Sequence, residues 1–471
     1  MSHEIYPDRS QTFLLPPALD DWIPFDHPAR FIASFVESLD LPALGFKIGQ
    51  PLTGRPRYSA QLLLSAICYC YFSRIRSLRG MEQACRENLP LMWLTGLETP
   101  DHSTFGLFWK ENRKALRGLL KQSVHVAVKM NLIGMVLFAV DGTKIRAQAS
   151  MKSGYHRKVL EKALAKVDAS IQEMEDGMAE SCRAGLESYG LPEELQDALR
   201  RKEEIKQHLE QLARANTGSL NPHEPEARVM KCSGKNIFGY NAQAVADSKA
   251  GIVVAEDVVT AENDHGLLSA MIERAAETIG QSSPTTLADK GYSAEEDLGE
   301  AAENELDVLV NLPKNVVPPD GENPYHKSRF VYDPDRDCCV CPIGGVLRFQ
   351  RKRKSKTGVQ VRVYHCTGYK DCPMRSQCSN NKRGRTIEVG PHHQAVADQI
   401  QRQRDPAEKE KLKRRPVIIE PTFALIKEVL AFSKWSFRNQ EGVHTQWALL
   451  CTTLNLRKSY SAWRRTLLGY A

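Results

Sequence analysis

Between residues 134 and 313 the chain alternates short apolar runs with amphipathic stretches of helical period, and no other feature narrows its fold as far. GMVLFAVDGTK (134–144) is an apolar run closed by Asp-Gly, which predicts a buried strand leading into a turn. NIFGYNAQAVAD and GIVVAEDVVTA read as a two-stranded meander, and GLLSAMIERAAETI as an amphipathic helix. TTLADKGY is a strand ending in a polar turn, AEEDLGEAAE a helix and LDVLVNLP a strand. That order predicts an α/β class fold built on a mixed sheet.

Other segments flank or interrupt this pattern. Residues 10–125 read as a small helical domain, in which AQLLLSAICYCYFSRI is apolar on most faces. In PDHSTFGLFWKENRKAL, Asp101 and Ser103 are candidate helix caps. At 156–214, Leu160, Leu164, Val167, Ile171, Met174 and Met178 step by four and three, a heptad seam broken at Gly190-Leu191-Pro192. The expectation is an inserted helical hairpin whose seam is buried in its partner helix or in another chain. PTFALIKEVLAFSKW and HTQWALLCTTLNLRK read as closing helices, so the α/β domain is expected to span 134–460.

Composition removes several classes. A hydrophobic content of 42% supports a sizeable core and excludes wholesale disorder. No run of about 18 apolar residues predicts a membrane span. The N-terminus lacks a basic head followed by an apolar run, so a cytosolic or nucleoid-associated protein is expected. Cys68, Cys70, Cys85, Cys232 and Cys451 read as reduced thiols filling space, and Cys182 sits in a charged helix. The other six of the twelve cysteines crowd into residues 338–378. The net charge of +7 is concentrated: residues 351–385 carry +10, leaving −3 for the rest. That is the footprint of a phosphate-contacting element.

Asp141 and Asp289 each end an apolar strand, where a carboxylate is costly unless paired or metal-bound. Glu420 is expected at the start of a helix after the strand-like residues 417–419. Three converging carboxylates suit two divalent ions about 3.5–4 Å apart, a clamp for in-line phosphoryl transfer. Taken singly, each acid has a plainer account: a turn former, a surface charge, a helix N-terminal acid. Cys341, Cys366, Cys372 and Cys378 can supply four thiolates to one zinc ion, with 24, 5 and 5 residues between them. The alternative is reduced cysteines in a flexible insert. The polar segment 338–385 offers so few apolar residues that a metal is its expected organiser. Arg351, Lys352, Arg353 and Lys354, with KRGR at 382–385, are expected to meet DNA phosphate.

VDGTKI, LADKGY and EPTFALIK, in that order, resemble the three catalytic blocks of DDE transposases from bacterial insertion sequences. PDHSTFGLFW resembles the family's N-terminal signature and GYNAQAVAD its second-strand signature, while Trp447, Asn455 and Leu456 resemble its closing helix. The resemblance implies a ribonuclease-H-like catalytic domain, preceded by a helical DNA-binding domain and interrupted by the hairpin and the Cys-rich insert. It implies that Asp141, Asp289 and Glu420 hold Mg²⁺ or Mn²⁺, cut DNA at element ends and transfer the strand into target DNA. The partner is DNA, and the protein is expected to act as a homo-oligomer on it, with no membrane. Lys427 completes the family's Glu-x6-Lys pattern and suits a phosphate contact, and Tyr292 is placed to position a base or phosphate. The family's Arg four residues before the Glu falls on Pro416, with Arg415 one place off as a DNA contact, and its usual Gly is Ala424. The alternatives are a catalytically inactive, transposase-derived DNA-binding protein and a zinc-dependent interaction module; the latter leaves the strand-end acids unexplained.

Overall fold

The computed structural model describes residues 18–47, 56–183, 193–314, 316–317, 323–355 and 358–469. The N-terminal stretch 1–17, the Gly190-Leu191-Pro192 break and Lys356 lie outside these, as does the Cys182 side chain. The chain divides into two compact units, Met1–Asn131 with Ala448–Ala471, and Leu132–Trp447. About half of the residues are helical, and the class is mixed α/β.

In the first unit, α1 (Pro28–Glu37), α2 (Ala60–Phe72), α3 (Leu78–Glu87), α4 (Leu89–Thr95), α5 (His102–Glu111) and α6 (Arg113–Lys129) follow one another closely. α2 is apolar nearly all round, so it is buried from Leu63 to Phe72. Ser59 caps it, its Oγ accepting the Leu62 N–H at 3.1 Å. Asp101 caps α5, accepting the Thr104 N–H at 2.6 Å, whereas Ser103 falls inside that helix.

The second unit begins with β1 (Phe138–Arg146) and β2 (Tyr155–His156), then α7 (Arg157–Arg183) and α8 (Glu193–Arg214). β3 (Ser219–Leu220) pairs with β2 and closes the base of these two long helices. They pack on each other: Ile171 of the seam is buried, its other five members are half-buried, and α8 contributes buried Leu195, Ile205 and Leu212. Next come β4 (Arg228–Cys232), β5 (Lys235–Asp247), β6 (Val253–Val259), α9 (Leu268–Ile279), β7 (Thr286–Ala288), α10 (Glu295–Glu303) and β8 (Val308–Val310). The sheet order is β4-β5-β1-β7-β8, with β6 also on β5. β1 is antiparallel to β5 over nine residues, whereas β1, β7 and β8 run parallel. Asp141-Gly142 is therefore not a turn. β5 offers a backbone partner to every residue of β1 as far as Arg146, so the strand continues five residues beyond the acid.

The Cys-rich segment also departs from expectation. β9 (Val331–Asp333), β10 (Cys338–Val340), β11 (Val346–Lys354), β12 (Gln360–Cys366) and β13 (Thr386–Val389) form a five-stranded antiparallel sheet, with α11 (Arg375–Cys378) before its last strand. Phe330, Cys339, Leu347, Tyr364, Ile387 and Val389 give it a small core, with Cys341, Cys366 and Cys378 packed against it. Alternation puts only one side chain in two into that core, which is why the segment reads as polar in sequence.

α12 (His393–Arg402) and α13 (Pro406–Ala424) follow, and α14 (Gln440–Leu467) closes the chain. α13 corrects a second expectation, because Val417–Ile419 are helical and Glu420 sits near the helix end. Asp405 caps α13 by accepting the Ala407 N–H at 2.8 Å, and Pro406 stands in the first turn. Ile418, Ile419, Thr422 and Phe423 are buried, and the helix packs against β1, β5 and β7. Among the described residues no helix is long and apolar enough to cross a membrane.

If the Cys-rich sheet is held by its own core, Leu347→Ala should cost about 2–5 kcal/mol and open residues 330–389 to limited proteolysis first. Cleavage at the wild-type rate there would mean that the core does not organise the segment.

Candidate active site

The acidic edge follows from unequal pairing of β1. On the β7 side the ladder stops at Phe138↔Thr286 and Ala139↔Leu287. Two residues further along both strands come Asp141 and Asp289, on the same face as Ala139 and Leu287 by the alternation of a strand. Asp289 thus stands at the carboxyl end of β7, and Asp141 lies within β1 just past its last residue paired to β7, so the two acids come level where the parallel ladder ends. Asp289 also caps the short turn Lys290–Tyr292, accepting the Gly291 N–H at 2.6 Å.

Asp141 is largely buried, and Arg415 of α13 reaches it, Nη1 to Oδ2 at 3.1 Å. Burial pushes the Asp141 carboxyl up, the Arg415 guanidinium and the Gly142 N–H pull it down, nearby Asp289 adds a further push up, and the net direction is upward. Arg415, expected as a DNA contact, is engaged with this acid. Tyr292, also expected to meet DNA, is fully buried, and its hydroxyl donates to Gln243 Oε1 of β5. Burial and the surrounding carboxylates of Asp264, Asp141 and Asp289 hold that phenol well above its ordinary range.

Sequence reading passed over Asp264, in the loop between β6 and α9. Its Oδ1 accepts from Asn241 Nδ2 at 2.8 Å and Gln243 Nε2 at 2.7 Å. The Trp447 indole N–H holds the backbone of the same strand, donating to the Gln243 carbonyl at 2.8 Å. Trp447 in turn stacks on Phe423 of α13, with centroids 6.3 Å apart. Glu420 is exposed on α13 and makes no hydrogen bond or ion pair with Asp141, Asp289 or Arg415. Lys427 is exposed within the π-helical turn Leu425–Val429, so α-helical spacing does not relate it to Glu420.

Elsewhere in this unit, Cys341, Cys366, Cys372 and Cys378 are near enough to perturb one another: both Cys366 and Cys378 are raised, chiefly by burial and in part by the neighbouring thiols. They are free thiols. Among the described residues no three His, Cys, Asp or Glu side chains are arranged to hold a metal ion, at this cluster or at the acidic edge. Arg351, Lys352, Arg353 and Lys354 are exposed on β11, and Arg353 pairs with Glu388 at 2.6 Å.

The Asp141–Arg415 pair predicts a stability effect. With its folded-state carboxyl raised, Asp141 binds its proton more tightly folded than unfolded, so its contribution falls as pH rises from the ordinary 3.8 through the raised value. Arg415→Met leaves a buried charge without its cation and should destabilise the chain at neutral pH by up to about 3 kcal/mol in chemical denaturation with EDTA. Asp141→Asn in the same background should restore most of that stability. No restoration would mean that the two side chains are not coupled.

The family described as "Transposase DDE domain" matches residues 340–460, which include Arg415, Glu420 and Lys427 but neither Asp141 nor Asp289. The family described as "Transposase domain (DUF772)" matches residues 17–111, most of the first helical unit. No curated protein matches the chain. A solved structure, a piggyBac transposase synaptic complex with hairpin DNA determined by cryo-EM, aligns at 8% identity and a TM-score of 0.34, covering 94% of this chain and 76% of that one. A likeness that loose carries no argument. Transposase family models thus match two separate segments of the chain, one toward each end.

Proposed function

We propose that the edge formed by Asp141 and Asp289 is the catalytic site of a transposase that cuts DNA at element ends and joins it to target DNA, with Glu420 as the third acid. The observation carrying this reading is the register that brings Asp141, within β1, level with Asp289 at the carboxyl end of β7. The order β6-β5-β1-β7-β8, with β6, β5 and β1 antiparallel and β1, β7 and β8 parallel, supports a ribonuclease-H-like domain. The two carboxylates are oxygen donors of the kind that suits a hard divalent cation such as Mg²⁺ or Mn²⁺. Bound there, such ions would polarise a phosphate and activate an oxygen nucleophile.

The chain's own residues then have distinct tasks. Arg415 holds the Asp141 carboxylate in place and offsets its charge until DNA and cation arrive. Tyr292 and Gln243 close the floor of the site against water. Lys427, exposed beyond Glu420, takes a backbone phosphate. The exposed basic strand β11 holds flanking duplex, and the four thiols at 341, 366, 372 and 378 take zinc and tighten its sheet. Assembly of more than one copy on DNA rests on the family resemblance alone.

Asp141→Ala, Asp289→Ala and Glu420→Ala should each reduce Mg²⁺-dependent cleavage of element-end DNA to background, with binding retained in gel-shift assays. Wild-type cutting by Glu420→Ala would remove it as the third acid. Binding without cutting by the wild-type protein would favour the inactive DNA-binding reading.

Neutralising Arg351, Lys352, Arg353 and Lys354 together should weaken binding to all sequences alike. The slope of log affinity against log salt should flatten by about 0.9 for each phosphate that the variant no longer neutralises. An unchanged slope removes β11 from the interface. Elemental analysis of the same preparations should find about one zinc per chain, absent from Cys372→Ser; protein without zinc removes that metal.

A further inference from the structure

β8 carries the end of the parallel ladder one strand beyond Asp289. Ala288 of β7 pairs with Val310, and the next residue, Asn311, donates its backbone N–H to the Ala288 carbonyl at 3.0 Å. Asn311 therefore stands level with Asp289, one strand spacing or about 4.8 Å away. At Asn311 a cavity of about 510 Å³ opens. Leu312 and Gln403 form its floor, both buried, and the Gln403 amide holds the end of β8 by donating to the Val310 carbonyl. Leu412 and Pro416 of α13 form one wall, flanking the Arg415 that reaches Asp141. The cavity and the acidic edge thus share a helix and lie on neighbouring strand ends.

Its charge is opposite to that of the edge. Arg329, Arg404, Lys409 and Lys413 line the rim, all exposed, and no carboxylate lines the cavity among the described residues. Lys413 pairs with Glu410 at 2.9 Å, but both side chains are exposed, so the pair is weak and easily exchanged for another anion. Arg404 reaches the Ser328 carbonyl at 3.5 Å, and neither it nor Arg329 has an acidic partner among the described residues. Two guanidinium forks at the mouth of a pocket suit phosphate oxygens, which they can take in pairs. The apolar surface of Leu312, Leu412 and Pro416 beneath them suits a sugar ring. The volume falls within the range of about 300–1,000 Å³ usual for small-ligand sites.

We propose that this cavity is a DNA-strand subsite, which seats one phosphate and its deoxyribose beside the nucleotide held at the acidic edge. The inference rests on the reading of that edge as the cutting site. Arg329 and Arg404 grip the phosphate oxygens, Lys409 and Lys413 add positive charge at the entrance, and the floor takes the sugar. A strand lying on the Asp141–Asp289 edge is then kept from sliding, because its neighbouring backbone unit is fixed one β-strand away. The four basic residues position the strand and take no part in the bond changes.

The test is anisotropy titration of a fluorescein-labelled DNA duplex at salt from about 50 to 200 mM. It compares the full-length wild type with Arg329→Gln/Arg404→Gln, Arg329→Lys/Arg404→Lys and Leu412→Trp. Both arginines are exposed, so the glutamine pair should melt with wild type. Its slope of log affinity against log salt should flatten by about 0.9, the loss of one phosphate contact, and the lysine pair, which keeps the charge, should restore it. At saturating element-end DNA the glutamine pair should cut about 10- to 100-fold more slowly than wild type. Leu412→Trp keeps every charge but fills the cavity; it should flatten the slope likewise, and it decides the matter should the glutamine pair fail to fold. An unchanged slope overturns the subsite; if the glutamine pair has then also lost binding of thymidine 5′-monophosphate, the cavity serves a free nucleotide instead. Either failure leaves the edge reading standing where Asp289→Ala no longer cuts. A flattened slope with wild-type cutting by Asp289→Ala upholds the phosphate contact in the cavity and removes the edge.

Discussion

The acidic edge depends on the unequal pairing of one strand. β1 has a backbone partner along nine residues on the β5 side and along two on the β7 side. The long ladder keeps Asp141 in extended, ordered backbone, where a loop would leave it mobile. The short ladder ends before Asp141 and opens the space that its side chain and Asp289 share. A longer β7 would bury both acids in a continuous sheet; a shorter β5 would free the segment carrying Asp141. The aromatic group of Phe423, Trp435 and Trp447 ties β1, β5 and α13 together, with Trp435 donating to the Ile145 carbonyl at 3.2 Å and Trp447 to that of Gln243. The same packing presents Arg415 to Asp141.

Such an edge is electrostatically costly without an ion. Burial raises the Asp141 carboxyl even though a guanidinium lies against it, so Arg415 offsets only part of the desolvation. Tyr292 is kept protonated by the same burial and by the acids around it, and therefore serves as a neutral donor to Gln243. Positive charge is concentrated instead on β11, in a separate antiparallel sheet of the same unit. On the proposed reading the negative edge gathers cations and the positive strand gathers phosphate, the two halves of phosphoryl transfer on DNA.

Much of the α/β alternation was legible because its strands are nearly continuous apolar runs and its helices keep a clear period. Asp-Gly after such a run is a strong turn signal, and only the tertiary partner β5 overrides it at 141–142. α13 was misplaced because Pro416, Pro421 and the β-branched run at 417–419 mimic a strand entering a helix; the buried face of Ile418, Ile419, Thr422 and Phe423 outweighs that local preference. The strands of the Cys-rich sheet were hidden because their outward positions are filled with Arg and Lys. Asp264 was invisible for a different reason: Asn-Asp in a polar stretch is an ordinary turn signal. Its partners Asn241 and Gln243 lie more than twenty residues away, so only the sheet register reveals it.

The proposed catalytic role of the Asp141–Asp289 edge requires that it capture a hard cation. Crystals of the full chain soaked in Mn²⁺ and measured for anomalous scattering address that directly. An anomalous peak is expected between the Asp141 and Asp289 carboxylates, with carboxylate oxygens from both acids in direct contact with the ion. Mn²⁺ bound elsewhere, with Asp141 still paired to Arg415 and no density between the two acids, would contradict it.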